Sequence, residues 1–202
     1  TTSTITGLSA SVLYSVTVTD AVNCKANGSV TLTNPGLITA TMSSSNPSCN
    51  GSSNGNATVN ASGGTLGYTY LWSTAPAQTT SSATGLTATT YIVTVTDSKS
   101  CTSTNSVTIT EPTLITVTMS FTNPSCNGGT NGTATASVAG GTAGYTYSWT
   151  TAPAQTSSVG TGFSAITYTV TVTDAKSCTK SNNVTISQPS AITASMSSTD
   201  QS

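Results

Sequence analysis

The stretch TYIVTVTD, residues 90–97, alternates polar and apolar side chains with a period of two. Tyr91, Val93 and Val95 fall on one face and threonines dominate the other, so the stretch reads as a half-buried β-strand. Threonine suits the outer face because it favours strands yet tolerates water. The pattern returns as TYTVTVTD at 167–174 and as YSVTVTD at 14–20.

Working outward from this strand, the surrounding sequence repeats at the same interval. NPSCNG occurs at 46–51 and again 77 residues later at 123–128, and Trp72 and Trp149 keep that spacing. Tyr14, Tyr91 and Tyr168 form a three-copy set, as do Asp20, Asp97 and Asp174, and Cys24, Cys101 and Cys178. Residues 36–112 align with 113–189 without a gap at about 50 identities. The expected organisation is therefore the C-terminal part of one repeat (1–35), complete repeats at 36–112 and 113–189, and the start of another at 190–202. A chain that begins and ends within a repeat is expected to come from something longer. Solenoid rungs run about 20–45 residues, whereas small domains start near 50, so one domain per repeat is expected.

Within 36–112 the alternation predicts strands at 37–43, 56–61, 67–73, 79–86, 90–96 and 105–110. The inward set is Ile38, Ala40, Met42, Ala57, Val59, Ala61, Tyr68, Tyr70, Trp72, Leu86, Tyr91, Val93, Val95, Val107 and Ile109. Turn signals such as Asn54-Gly55 and Gly63-Gly64 separate these segments. No helical period is visible. The predicted fold is all-β: tandem small antiparallel immunoglobulin-like β-sandwiches, one per 77-residue repeat.

Composition narrows the function. The chain carries four lysines, no arginine, five carboxylates and no histidine. Four cations are too few for a nucleic-acid partner, which needs many phosphates neutralised. A net charge of −1 gives no field toward an anionic membrane, and no apolar run is long enough for a spanning helix. Serine and threonine make up about 40% of the residues, but regularly placed apolar side chains argue against disorder.

Five cysteines in so uncharged a chain imply an oxidising compartment. One pairing joins Cys49 to Cys101 and Cys126 to Cys178, with Cys24 bonded to a residue upstream of the fragment. The other joins Cys24 to Cys49 and Cys101 to Cys126. The first is preferred: if the last strand of one domain runs into the first of the next, Cys101 and Cys126 lie beyond the Cα separation of about 7 Å that a bridge allows. It carries a condition. The Cys49 and Cys101 loops must lie at the same end of the sandwich, which strict seven-strand alternation does not give. Zinc is the poorer reading, since two cysteines per repeat fall short of a tetrahedral set.

Catalytic chemistry has little to work with. Each complete repeat offers one aspartate at the repeated position, without a second carboxylate there to share acid and base roles. Asp97 and Asp174 each close a strand and read as turn caps; one carboxylate plus carbonyls is a poor calcium site. The expectation is no enzyme, no metal and no cofactor. Tyr68, Tyr70 and Trp72, repeated as Tyr145, Tyr147 and Trp149, line one strand face. They form either the core or a platform on which sugar rings stack.

The order N-P-S-C-N-G, G-G-T-x-G-Y-T-Y-x-W, T-Y-x-V-T-V-T-D, C and V-T-I-x-x-P resembles the SprB-type repeat of giant surface adhesins in gliding Bacteroidetes. The likeness covers the whole chain. It implies cell-surface exposure, with outer-membrane association through the rest of the parent protein, and export by the type IX secretion system. It also implies a role in attachment and gliding motility. The expected function is a structural stalk segment whose partners are neighbouring repeats of the same chain and, at the surface, polysaccharide or substratum. The short junctions at Pro35, Pro112 and Pro189 make a semi-rigid rod the expected form. The alternatives are a carbohydrate-binding module using the Tyr/Trp strand, and a self-assembling filament or surface-layer subunit.

Overall fold

The computed structural model describes residues 4–197. Among these there are fourteen strands and no helix. The first two are β1 (Leu13–Thr19) and β2 (Lys25–Thr31). The next six are β3 (Thr39–Ser45), β4 (Gly55–Ser62), β5 (Thr69–Trp72), β6 (Ser82–Leu86), β7 (Thr90–Thr96) and β8 (Thr102–Thr108). The last six are β9 (Thr116–Thr122), β10 (Gly132–Ala139), β11 (Thr146–Trp149), β12 (Val159–Phe163), β13 (Thr167–Thr173) and β14 (Thr179–Thr185). Strands β9 to β14 reproduce β3 to β8.

In each complete repeat the first, second and fourth strands form one sheet, and the third, fifth and sixth form the other. The orders are β3-β4-β6 with β5-β7-β8, and β12-β10-β9 with β11-β13-β14. All the registered pairs are antiparallel. This partition is that of an immunoglobulin-like sandwich, with the tryptophan on the third strand where that fold places it. A second hallmark recurs at the start of the fifth strand. The Tyr168 hydroxyl accepts a bond from the Ser164 N–H at 3.1 Å, and the Tyr14 hydroxyl accepts one from the Ser9 N–H at 2.9 Å. These are tyrosine corners.

The chain packs as two compact units, each assembled from separate stretches. One holds the N-terminal residues through Ser43 with Thr58–Ala83 and Tyr91–Val107; the other holds Ser44–Ala57, Thr84–Thr90 and the residues from Thr108 onward. In the first unit Val59, Trp72, Ala83, Tyr91, Val93 and Val95 are buried. In the second, Trp149, Phe163, Tyr168, Val170 and Val172 centre a core closed by Ile115, Val117, Ala134, Ala136, Val184 and Ile186. Trp149 meets Phe163 edge-on at 5.3 Å between ring centroids, and Phe163 stacks on Tyr168 at 4.0 Å.

The two repeats fill their cores differently at several positions, such as Val59 against Ala136, and at one place the changes are coupled. Where one has Ala83 and Leu86, the other has Gly160 and Phe163. A Cβ on Gly160 would run into the Phe163 ring, so the larger aromatic requires the smaller neighbour. Outside, threonine hydroxyls pair across strands, as in Thr167 with Thr185 and Thr90 with Thr108, both at 2.9 Å. Those pairs explain how an almost uncharged surface satisfies its polar groups.

The β1–β2 hairpin is an exception in burial though not in pairing. Its seven residue pairs run from Leu13↔Thr31 to Thr19↔Lys25. Yet Val16 and Val18 are 55% and 63% exposed, whereas their counterparts Val93, Val95, Val170 and Val172 are fully buried.

Candidate functional site

The site is a pair of loops that meet at a disulfide. The first loop, NPSCNG, follows β3 and is held on the residues that follow β8. Pro47 is buried. The Asn46 side chain donates to the Thr110 hydroxyl at 2.8 Å and accepts from the Thr110 N–H at 3.1 Å. Asn50 donates to Glu111 at 2.9 Å and to the Pro112 carbonyl at 3.1 Å. Gly51, at φ 74°, donates its N–H to the other Glu111 oxygen at 2.6 Å. Inside the loop, Asn54 accepts from the Ser48 N–H and donates to the Ser48 hydroxyl. Every charged oxygen of Glu111 is thereby engaged, and Cys49 is presented outward.

The second loop is the turn between β13 and β14. One Asp174 oxygen accepts the N–H groups of Lys176 and Cys178 at 2.8 and 2.9 Å. The other accepts the Thr142 N–H at 2.8 Å. The turn is completed by Asp174 N–H to the Cys178 carbonyl at 2.9 Å, with Ser177 at φ 65°. Gly140 and Gly141, at φ 78° and 65°, bring the Thr142 amide to the carboxylate; a Cβ on Gly141 would stand 2.8 Å from Asp174 Oδ2. Asp97 repeats this arrangement with Lys99, Cys101 and Thr65. The sequence identified the cap but not its reach to the Gly-Gly loop thirty-two residues earlier.

The Thr142 N–H bond, ahead of those from Cys178 and Lys176, holds the Asp174 carboxyl below its ordinary 3.8, and Thr65 does the same for Asp97. A depressed carboxylate contributes its full stabilisation above the unfolded value and loses it as pH falls through the folded one. Asp174→Asn keeps an acceptor for Lys176 and Cys178 but turns a donor toward Thr142. The variant is expected to melt lower at neutral pH and to show a shallower loss of stability below about pH 4, read by thermal unfolding across a pH series. An unchanged acid limb would contradict the assignment.

Cys178 is bonded to Cys49, with their Cα atoms 5.7 Å apart. Cys24, Cys101 and Cys126 are free and exposed. Both pairings read from the sequence are corrected. The structure contains neither Cys49–Cys101 with Cys126–Cys178 nor Cys24–Cys49 with Cys101–Cys126. The reason is visible in the second unit. Cys126 sits on a loop whose Asn127 and Gly128 bond Pro189 and Gln188, past the end of β14. Cys178 immediately precedes the start of β14. A seven-residue strand spans about 23 Å, far beyond bridging distance. The Cys49 loop, in contrast, grips Glu111 and Pro112, the segment that leads into β9. Strand β9 lies beside β14, where Asn182 donates to the Val117 carbonyl at 2.7 Å. The strand that leaves one repeat thus carries its NPSC loop to the turn of the next. Beside the bridge is a cleft of about 270 Å³ lined by Pro112, Leu114, Ile115, Asp174, Ser177 and Lys180.

Of the two readings of the aromatic strand, the core is the one the structure shows, and the platform is not. Trp72 and Trp149 are 1% and 2% exposed, so neither offers a face to a sugar. Their indole N–H groups donate inward, to the carbonyls of Thr80 at 2.9 Å and Ser157 at 2.8 Å. Tyr145 and Tyr147 are half-buried against the core, and Tyr68 and Tyr70 are half-buried likewise. The Tyr68 and Tyr145 hydroxyls donate to the carbonyls of Gly63 and Gly140. Among the described residues, no three cysteine or carboxylate side chains gather as a metal site.

The fold and the bridge define a class: tandem immunoglobulin-like repeats in which a loop of one repeat is bonded to a turn of the next. The particular family follows from the sequence comparison. Residues 41–77 and 118–154 each match the SprB repeat, and both stretches contain the N-P-S-C-N-G and G-Y-T-Y-x-W motifs. No curated protein matches the chain. Among solved structures, one titled "Structural basis for Dscam isoform specificity" is 12% identical, with a TM-score of 0.32 over 83% of this chain and 52% of that one. The chain spans about half the length of that structure.

Proposed function

We propose that the chain is a non-catalytic stalk segment of a large secreted surface adhesin, working in surface attachment and gliding motility. Export by the type IX system and outer-membrane association through the rest of the parent protein belong to this reading, on the family resemblance. The module is the 77-residue repeat, and its partners are its neighbours in the chain. The observation that carries the reading is the bond between Cys49 and Cys178, two positions in consecutive repeats. A polymer of repeats under tension needs its joints secured, and a covalent link from repeat to repeat does that. The charge-poor Thr/Ser surface supports the same reading, because it dissolves well while offering little to charged partners.

The test uses cells that express the parent protein, together with the purified chain. Antibody raised against the chain is expected to label intact cells. The chain itself is expected to show no retention on a polysaccharide array. Labelling confined to permeabilised cells would overturn the surface assignment, and specific retention would replace the stalk with a ligand-binding module.

A further inference from the structure

We propose that the cleft beside the Cys49–Cys178 bond is a binding site for a small thiol carrying a carboxylate, which Lys180 draws in to open the bond while the chain stays folded. The bond is not sealed in a core. Cys49 and Cys178 are each half-buried, and both line the cleft of about 270 Å³. That volume lies below the range usual for drug-sized ligands, so the occupant is small. The lining includes the apolar side chains of Pro112, Leu114 and Ile115 and one cation, Lys180.

The charges favour an anionic entrant. Lys180 follows Cys178 by two residues at the start of β14, so the two side chains share a face. Its ammonium has no acceptor among the described residues. The carboxylates nearby are already engaged. Asp174 takes three backbone N–H groups, and Glu111 takes the Asn50 side chain and the Gly51 N–H. Lys176 adds a second positive charge beside Asp174.

Each half of the bridge keeps its shape by bonds that do not involve sulfur. The Cys178 turn is closed on Asp174, and the Cys49 loop is closed by Asn54 on Ser48 and by Asn46 on Thr110. Opening the bond therefore removes a link and leaves both loops in place, ready to close again. It also releases the 129-residue loop, so the thiol sets whether the segment lengthens under load.

The chemistry is thiol–disulfide exchange. The entering thiolate attacks Cys49 Sγ, the sulfur–sulfur bond breaks, and Cys178 leaves as a thiolate stabilised by Lys180. A second small thiolate attacks the outer sulfur of the mixed disulfide and releases the Cys49 thiolate. One protein disulfide is reduced, two small thiols are oxidised to their disulfide, and their two protons end on Cys49 and Cys178.

The test uses the full chain carrying Cys24→Ser, Cys101→Ser and Cys126→Ser, which leaves one bond and no competing thiol. All three positions are exposed, so serine disturbs no core. Reduction in native buffer is followed by intact mass after alkylation. Mercaptoacetate, mercaptoethanol and mercaptoethylamine serve as anionic, neutral and cationic probes. Each rate is divided by that of the same thiol on hydroxyethyl disulfide, which removes differences in nucleophilicity. The anionic probe is expected to be about fivefold faster than the neutral one at low salt, with the cationic probe slowest. Lys180→Gln should bring the anionic and neutral probes within about twofold, and added salt should do the same in the parent. Tryptophan fluorescence, read alongside, should stay unchanged as the bond opens. Equal normalised rates for the three probes would overturn the proposal, as would an anionic preference that persists in Lys180→Gln. So would a bond that opens only when the fluorescence reports unfolding.

Discussion

Reduction of the Cys49–Cys178 bond is expected to lengthen the chain severalfold when it is pulled from its ends. The bond bypasses 129 residues of sequence. At about 3.5 Å per extended residue, the oxidised chain reaches about 250 Å and the reduced chain about 700 Å. The same loop sets a stability effect. Closing it restricts the unfolded ensemble by about 5 kcal/mol in the chain-entropy model, a large part of what a small domain possesses. Cys49→Ser should therefore show the long extension without reductant and unfold at lower denaturant. Single-molecule traces of equal length with and without reductant would show that no such loop is closed.

Trp149→Ala is expected to cost about 3–5 kcal/mol. The ring is 2% exposed, lies edge-on to Phe163, and donates its N–H to the Ser157 carbonyl. Alanine would leave a cavity in a core this small, and the carbonyl would lose its donor. Trp149→Phe should recover most of the packing but not the hydrogen bond, so its midpoint in urea should fall between the other two. If the ring were a sugar platform in solvent, both variants would keep the parent midpoint. The experiment thus separates the two roles that the aromatic strand had in the sequence.

The sandwich was legible because a period of two runs through β3, β4, β7 and β8. Ile38, Ala40 and Met42 are partly buried, and Ala57, Val59, Trp72, Leu86, Tyr91, Val93, Val95 and Ile109 are buried, each on the expected parity. Alternation fixes which side chains share a face, but not what covers that face. The parity of Tyr70 and Trp72 pointed inward to the core, while the platform stayed open as the second reading because alternation alone does not show the opposing sheet. The bridge was less accessible still. Pairing cysteines within a repeat treats the repeat as the unit of contact, while the loop of Cys49 is held to Glu111 and Pro112, where the chain leaves for β9. One signal was present: the pairing needed the Cys49 and Cys101 loops at the same end of the sandwich, which strict seven-strand alternation does not give. The reach of Asp97 to Thr65 had a signal too, in Gly63-Gly64, whose positive φ angles were readable only as a turn.

The central claim is that a cysteine following N-P-S bonds to the cysteine after the T-D turn one repeat later. Four lysines and no arginine make a tryptic map of the non-reduced chain decisive. Cys49 lies in peptide 26–99, Cys178 in 177–180, and Cys101 and Cys126 together in 100–176. The bond predicts peptide 26–99 linked to 177–180. Peptide 26–99 linked instead to 100–176, with 177–180 joined to the same fragment, would mean that each repeat closes its own bridge and would contradict the claim.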